Sequence, residues 1–306
     1  MTGALICLDW GTTALRGWLV SADGAVLDRR TGGPGIMAVE GSFEEACHAF
    51  TGGWRAASPA LPIIAAGMIG SRQGWLEAPY VHCPAGFADV ACRCIAVEGK
   101  DLSLRIVPGL SWQAPDNMAD VMRGEETQVF GALESGAQDG VFILPGTHSK
   151  WVRVEAGGIV GIATWMTGEL FAVLRGHSIL GRMMSVDASH DAGAFAAGAA
   201  DGLEHGNQLT RRLFGVRTRG LLGGLGEAAA PSFLSGLLIG AEICAARRMP
   251  DIGDGAARVH LIGDAVLCQR YAEVLGMAGI AAHIADAEVT PRGLWRLART
   301  AGMIAP

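Results

Sequence analysis

The chain has 306 residues, half of them hydrophobic, and a formal net charge of −6, enough for two ordinary domains or one large one and too apolar for disorder. It contains no long basic run, which excludes nucleic acid as the main partner but not a nucleotide, since that needs only a few local donors. Seven scattered cysteines lack any C-x-x-C spacing, and the most apolar stretch, SFLSGLLIGAEICAARR, is broken by Glu242; the expectation is a cytoplasmic protein with reduced thiols, no zinc site and no membrane span.

In chain order, strands are predicted at 5–8, 15–20 and 25–29, separated by a Gly11-Thr12-Thr13 turn and a hairpin turn at 22–24. Ser42 and Glu45 form a capping box for a helix at 43–55. A short buried strand at 61–68 runs into the polar, glycine-rich loop GMIGSRQGW, and one or two strands follow at 94–107 before Pro108-Gly109. The segment from Ser111 reads as a loop feeding a helix over 124–135. Beyond it, VFILPGTHSKWVRVEAGGIVGIATW repeats strand, Gly-Thr turn, strand, glycine turn, strand. The region 168–248 reads as helical, with Pro231 in a first turn. A strand, a helix and a strand occupy 258–286, and Thr290-Pro291 open a last helix as cap and first position.

The repeat organises the chain. Gly11-Thr12 and Gly146-Thr147 each follow an apolar strand and precede a strand carrying a tryptophan, Trp18 or Trp151. Two such units predict two similar domains. A Gly-Thr turn exposes consecutive N–H groups and hydroxyls, an anion-binding nest. Asp9 would repel phosphate directly, but it becomes sensible with a divalent cation between them, held through water as Mg²⁺ prefers. The alternative is a turn cap. No P-loop, Rossmann, H-E-x-x-H or G-x-S-x-G pattern occurs. Glycine, at 45 residues, is about twice its usual share of roughly 7%, through close backbone approaches or through compositional bias. Gly236 and Gly240 stand four apart in a helix, where another helix is the expected neighbour.

The stretches LDWGTT, PGTHSKW and LIGDAVLCQRY lie in the order of the phosphate-1, phosphate-2 and adenosine segments of the sugar kinase/actin/Hsp70 superfamily, which the chain resembles. More narrowly, DWGTTALRGWL, AAGMIGSRQGWLEAPY, VMRGEETQVFGA, LPGTHSKWV, MTGEL and FLSGLLIGAE, within residues 9–242, are similar to the 2-dehydro-3-deoxygalactonokinase family. The resemblance implies an α/β fold of two actin-like (ribonuclease H-like) domains, 1–112 and 113–306, with a nucleotide cleft between them and the last helix packing back on the first. It implies transfer from ATP, with Mg²⁺, to the terminal hydroxyl of 2-dehydro-3-deoxy-D-galactonate.

By that analogy Asp9, Gly11, Thr12 and Thr13 belong to the first phosphate site, and Gly146, Thr147 and His148 to the second, with Lys150 in reach of a phosphate. Gly263 and Asp264 belong to the adenosine segment, where the family more often has a glycine and a small hydroxyl residue. A carboxylate must accept the acceptor proton. Glu125 is the first choice and Glu126 the second, in the first turn of a helix where either could instead complement the N-terminus. Ser71, Arg72, Gln73, Trp75, Arg123 and Glu169 are candidates for the sugar acid, an arginine fork suiting its carboxylate. The expected partners are a small sugar acid and ATP, with a homodimer left open. A kinase for another small acceptor and an actin-like nucleotide sensor are the rival readings.

Overall fold

The structure, a computed structural model, describes residues 2–56, 58–99, 102–249, 252 and 258–304. By its contacts the chain forms two units, one of Met1–Asp139, Val154–Gly161 and Asp286–Pro306 and one of Gly140–Arg153 and Ile162–Ala285. The sequence reading divided the chain at 112/113 instead.

The first unit opens with β1 (Gly3–Trp10), β2 (Ala14–Ser21) and β3 (Val26–Pro34), paired antiparallel in succession. Helix α1 (Phe43–Arg55) follows, with the Ser42/Glu45 capping box formed as expected. Strand β4 (Ile63–Ala66) lies parallel to β1. After the short β5 (Val81–His82) and α2 (Phe87–Ala91), β6 (Ile95–Gly99) and β7 (Leu102–Ile106) pair antiparallel, residues 100–101 lying outside the described residues. The sheet order is β3-β2-β1-β4-β7-β6. Leu5, Ile6, Leu8, Ile63 and Ile64 are fully buried, as central strands covered on both faces require.

The segment read as a loop after Ser111 is instead a hairpin. Strands β8 (Leu110–Gln113) and β9 (Ala119–Met122) pair with each other, and β8 also pairs with β5. A turn closed by Asn117 at φ 70° interrupts a segment whose alternation is too short to read as two strands. Helix α3 (Glu125–Glu134) then closes this part of the unit.

The second sheet, in the second unit except for Val154–Gly161 at the tip of its β11–β12 hairpin, holds β10 (Gly140–Leu144), β11 (Ser149–Glu155) and β12 (Gly158–Trp165) in the order β12-β11-β10-β13-β14 once α4 (Thr167–His177), α5 (Ala192–His205), α6 (Leu209–Leu221), α7 (Ala230–Ala246), β13 (Val259–Leu261), α8 (Ala265–Met277) and β14 (Ala282–Ile284) are counted. Strands β10, β13 and β14 run parallel. Each sheet therefore carries its first hairpin pair outward from the founding strand and its later parallel strands on the other side, the ribonuclease H-like order of an actin-like domain. The last helix, α9 (Val289–Thr300), belongs to the first unit, where it packs on α3, β1 and β4. It starts before Thr290, so Pro291 falls within the first turn rather than at its first residue. All seven cysteines are free, and among the described residues no helix is long and apolar enough to cross a membrane.

Helices α5 and α7 make the closest contact in the second unit, backbone against backbone. A Cβ on Gly236 would lie 2.1 Å from the Phe195 carbonyl oxygen, and one on Gly240 2.4 Å from that of Ala199. This helix pairing is the reason for the i, i+4 glycines, and it fixes where α7 presents its other residues. Gly236→Ala should therefore cost about 2 kcal/mol or more through overpacking, read as a lowered Tm. Gly215→Ala, in α6 where a Cβ meets nothing within 4 Å, should leave Tm unchanged or raise it slightly.

Candidate active site

In the first unit, β1 delivers Asp9 to the carboxyl end of a central strand. Its side chain is only 13% exposed, and Arg16 Nη2 lies 2.9 Å from Oδ2. The hairpin register sets Arg16 directly opposite Asp9. Burial pushes the Asp9 carboxyl above the usual carboxylate range, and the Arg16 charge and hydrogen bond oppose that. In the following turn the Gly11 N–H donates to the Ala14 carbonyl (2.9 Å), while the Ile36 and Met37 N–H groups donate to the carbonyls of Gly11 and Thr12 (3.0 and 3.3 Å). The turn is thereby held from behind, and Thr12 and Thr13 are exposed.

Two glycines bring the other segments to this point. Gly67, at φ 94°, has no room for a Cβ, which would sit 2.9 Å from the Trp10 carbonyl oxygen and 3.4 Å from Asp9 Oδ1. Gly124, at φ 110°, places its own missing Cβ 3.2 Å from the Gly67 Cα. Both conformations favour glycine. The end of β1, the loop after β4 and the start of α3 therefore meet.

The adjacent glutamates at the start of α3 differ. Glu126 is fully buried, and both its carboxylate oxygens accept the Gly124 N–H (2.9 and 2.7 Å). Burial, and next the neighbouring Glu125 charge, push its pKa up to about 8 against the pull of backbone N–H groups and Arg123. Glu125 is half-buried, and its Oε2 accepts the Arg123 N–H (3.0 Å). Arg123 Nη2 donates to the Ala78 carbonyl (2.8 Å), and its guanidinium lies 4.3 Å from the centre of the Tyr80 ring. Its Nε and Nη1 are buried without a hydrogen-bond partner among the described residues.

The remaining acceptor-side candidates lie as follows. Ser71 is half-buried and its Oγ accepts the Gln73 N–H (3.3 Å). Arg72 is 87% exposed and paired with Glu77 at 3.1 Å. Trp75 stacks on Phe43, ring centres 6.4 Å apart, at the edge of the core.

In the second unit, the Gly146-Thr147 turn joins β10 to β11, and the Thr147 carbonyl accepts the Glu169 N–H of α4 (2.9 Å). His148 and Glu169 are hydrogen-bonded to each other, half-exposed. Lys150 is buried in β11 and its Nζ donates to Thr164 Oγ1 (2.8 Å). Beside the turn opens a cavity of about 270 Å³, at the small end for a ligand site, which Gly146, Thr147 and the start of α4 (Thr167, Gly168, Phe171) wall on one side. Helix α7 contributes Ser235, Leu238 and Ile239, and α8 contributes Leu267, Arg270 and Tyr271. Gly263 and Asp264 do not line it. Asp264 caps α8, its Oδ1 accepting the Leu267 N–H (3.0 Å), and Gly263 turns into that cap at φ 142°.

Behind the cavity wall lies Glu242, 3% exposed. Its Oε1 accepts Ser149 Oγ and Trp151 Nε1 (both 2.7 Å), and its Oε2 accepts Tyr271 OH (2.7 Å) and the Thr167 hydroxyl. Burial pushes its carboxyl up and the four hydrogen bonds pull it down. The sequence reading missed Glu242 and Arg16 as site residues. The signal for the first was a lone carboxylate in the most apolar helix; for the second, the hairpin register that pairs it with Asp9.

Among the described residues no group of three or more His, Cys, Asp and Glu side chains could hold a metal ion. A single buried carboxylate, Asp9, fits only a cation that arrives with phosphate oxygens and water in its shell, which is how Mg²⁺ is commonly bound.

Comparison with known proteins identifies the family. Residues 9–297 match the family described as 2-keto-3-deoxy-galactonokinase. A protein of Rhizobium meliloti (strain 1021), provisionally named 2-dehydro-3-deoxygalactonokinase, is 40% identical over 309 residues, covering 97% of each chain. The 2-dehydro-3-deoxygalactonokinase of Escherichia coli (strain K12) is 37% identical over 283 residues, covering 91% of each. A crystal structure of a protein from Sinorhizobium meliloti, provisionally given the same name, superposes with a TM-score of 0.86 at 38% identity over 99% of this chain and 98% of that one. The chain belongs to the 2-keto-3-deoxy-galactonokinase family of sugar-acid kinases.

Proposed function

We propose that the chain transfers the γ-phosphoryl group of ATP to the terminal hydroxyl of 2-dehydro-3-deoxy-D-galactonate, giving the 6-phosphate, as a cytoplasmic step of galactonate catabolism. The observation that carries the reading is the close approach, at Gly67 and Gly124, of the end of β1, which carries Asp9, to the segment opening α3, which carries Arg123 and the half-buried Glu125. A nucleotide sensor needs no such acceptor-side pair.

The roles follow from the chemistry of each group. The acceptor hydroxyl oxygen bonds to the γ-phosphorus, the bond from that phosphorus to the β,γ-bridging oxygen breaks, and ADP leaves with the electron pair. Glu125 takes the hydroxyl proton; Glu126, sealed under the turn, braces Gly124. Arg123, whose buried Nε and Nη1 have no hydrogen-bond partner among the described residues, suits the acceptor carboxylate. The exposed hydroxyls of Thr12 and Thr13 suit phosphate oxygens, and so, in the second unit, does the Gly146-Thr147 turn. The cavity beside α7 and α8 suits the nucleoside, replacing the expected assignment to Gly263 and Asp264. Asp9 would hold Mg²⁺ through water, and the ion would neutralise phosphate charge. Lys150, His148 and Glu169 are held by one another or by Thr164, so they shape the second turn and its strand. Ser71 and Trp75 remain candidates for the acceptor's hydroxyl-bearing chain, and Arg72 for its rim.

An ADP-release assay with Mg-ATP should show strong turnover on 2-dehydro-3-deoxy-D-galactonate and little on its gluconate epimer; turnover on a different acceptor would keep the mechanism and sink the substrate. Glu125→Gln should lower kcat by about 10²-fold or more with the KM for ATP unchanged, and an unaltered kcat removes Glu125 as the base. Arg123→Ala should raise the KM for the acceptor about 10- to 100-fold, the loss of a charged hydrogen bond, and leave that for ATP alone.

Glu126 has a separate, thermodynamic test. A carboxyl raised from 4.5 to about 8 keeps its proton longer in the folded protein than in the unfolded chain. The folded state thus binds more protons between those values, and its stability falls as pH rises through that window. Glu126→Gln keeps a neutral acceptor for Gly124 and should gain Tm over the wild type at pH 8.5 but not at pH 4.5. A gain that is the same at both pH values would contradict the shift.

A further inference from the structure

We propose that Glu242 is a positioning residue that sets the polarity of the nucleotide pocket, holding Thr167 and Tyr271 so that they offer oxygen lone pairs, and no protons, to the nucleotide. The inference rests on the reading that the cavity beside α7 and α8 takes the nucleoside.

A carboxylate has about four acceptor sites, and Glu242 fills them with donors from three other elements: Ser149 and Trp151 of β11, Thr167 of α4 and Tyr271 of α8. Four donors on two oxygens is the surrounding of an ionised group. Were packing its whole purpose, an apolar residue of similar volume would serve at lower desolvation cost. What distinguishes this network is that two of its donors, Thr167 and Tyr271, are also pocket wall. Each hydroxyl has one proton, and each spends it on Glu242. An oxygen whose proton is so spent can only accept, so where either meets the cavity the wall selects groups that donate, such as ribose hydroxyls or an exocyclic amine. The same carboxylate ties the first residue of α4 to β11, just past the Gly146-Thr147 turn. Its own place is set by the α5–α7 backbone contact at Gly236 and Gly240.

Glu242→Gln is the discriminating change because Trp151 Nε1 can only donate. The amide oxygen must stay on the Trp151 side, so the amide NH₂ faces Thr167 and Tyr271. Both hydroxyls then accept from it and turn their protons elsewhere, with little change of shape. Calorimetric titration of Mg-ADP should show affinity falling about tenfold or more in Glu242→Gln, with the KM for the sugar acid within twofold of wild type. Tyr271→Phe, which keeps the ring, should weaken Mg-ADP in the same direction and serves if Glu242→Gln does not fold. Ser235→Trp, which fills the cavity, reports on the underlying reading and should abolish Mg-ADP binding. If Ser235→Trp blocks Mg-ADP while Glu242→Gln and Tyr271→Phe bind it as tightly as wild type, the role of Glu242 is overturned and the pocket stands. If Ser235→Trp binds Mg-ADP normally, the pocket reading falls and the inference with it. A matching rise in both KM values for Glu242→Gln would mark a general structural role and also overturn it.

Discussion

Taking a carboxylate out of water costs several kcal/mol unless donors replace the water it loses, and three carboxylates at the candidate sites are so placed. Asp9 is answered by one guanidinium across a hairpin, Glu126 by backbone N–H groups of its own turn, and Glu242 by four side-chain donors. The answers differ in kind, and so do the consequences. A guanidinium can swing away when a cation arrives, so Asp9 stays exchangeable. Backbone N–H groups cannot, and alone they leave Glu126 close to neutral. A full set of hydroxyl and indole donors locks Glu242 while also orienting whatever else those donors touch. Most of the placement of both candidate sites follows from keeping these three groups where an apolar residue would be cheaper.

Main chain in direct contact with main chain supplies the other half of that placement. Helix α7 can present Glu242 to α4, α8 and β11 because it lies against α5 with no side chain between them. In the first unit, Gly67 and Gly124 do the same for the loop after β4 and the start of α3. The abundance of glycine thus has a structural part, whatever composition adds to it. These contacts put carbonyls and N–H groups at fixed distances, which flexible side chains do not achieve.

Much of this was legible in the sequence. The Gly-Thr hairpins, the capping box at Ser42, the buried strand at 61–68 and the glycine face of α7 all rest on local patterns of short period, and local patterns survive without a partner. What was missed depends on register or on contacts between distant segments. Arg16 faces Asp9 only once the hairpin is paired. Strands β8 and β9 are too short, and interrupted by too polar a turn, to show alternation. The cavity proposed for the nucleoside takes its α8 residues one and two turns beyond Gly263-Asp264, because Asp264 spends its carboxylate on the helix N-terminus, a use equally open to any aspartate in that position. Glu125 and Glu126 could not be separated by spacing; burial separates them.

The residues that line the cavity beside α7 and α8 come from the second unit, and those around Asp9, Arg123 and Glu125 among the described residues come from the first. No side chain in either group serves in the other. On the proposed reading, a change of acceptor can therefore be sought by redesigning 67–80 and 123–126, leaving untouched the cavity of the second unit. In the proposed reading the nucleoside end of the donor and the acceptor are thus written in separate stretches of chain, and a new sugar-acid preference belongs to the first unit alone.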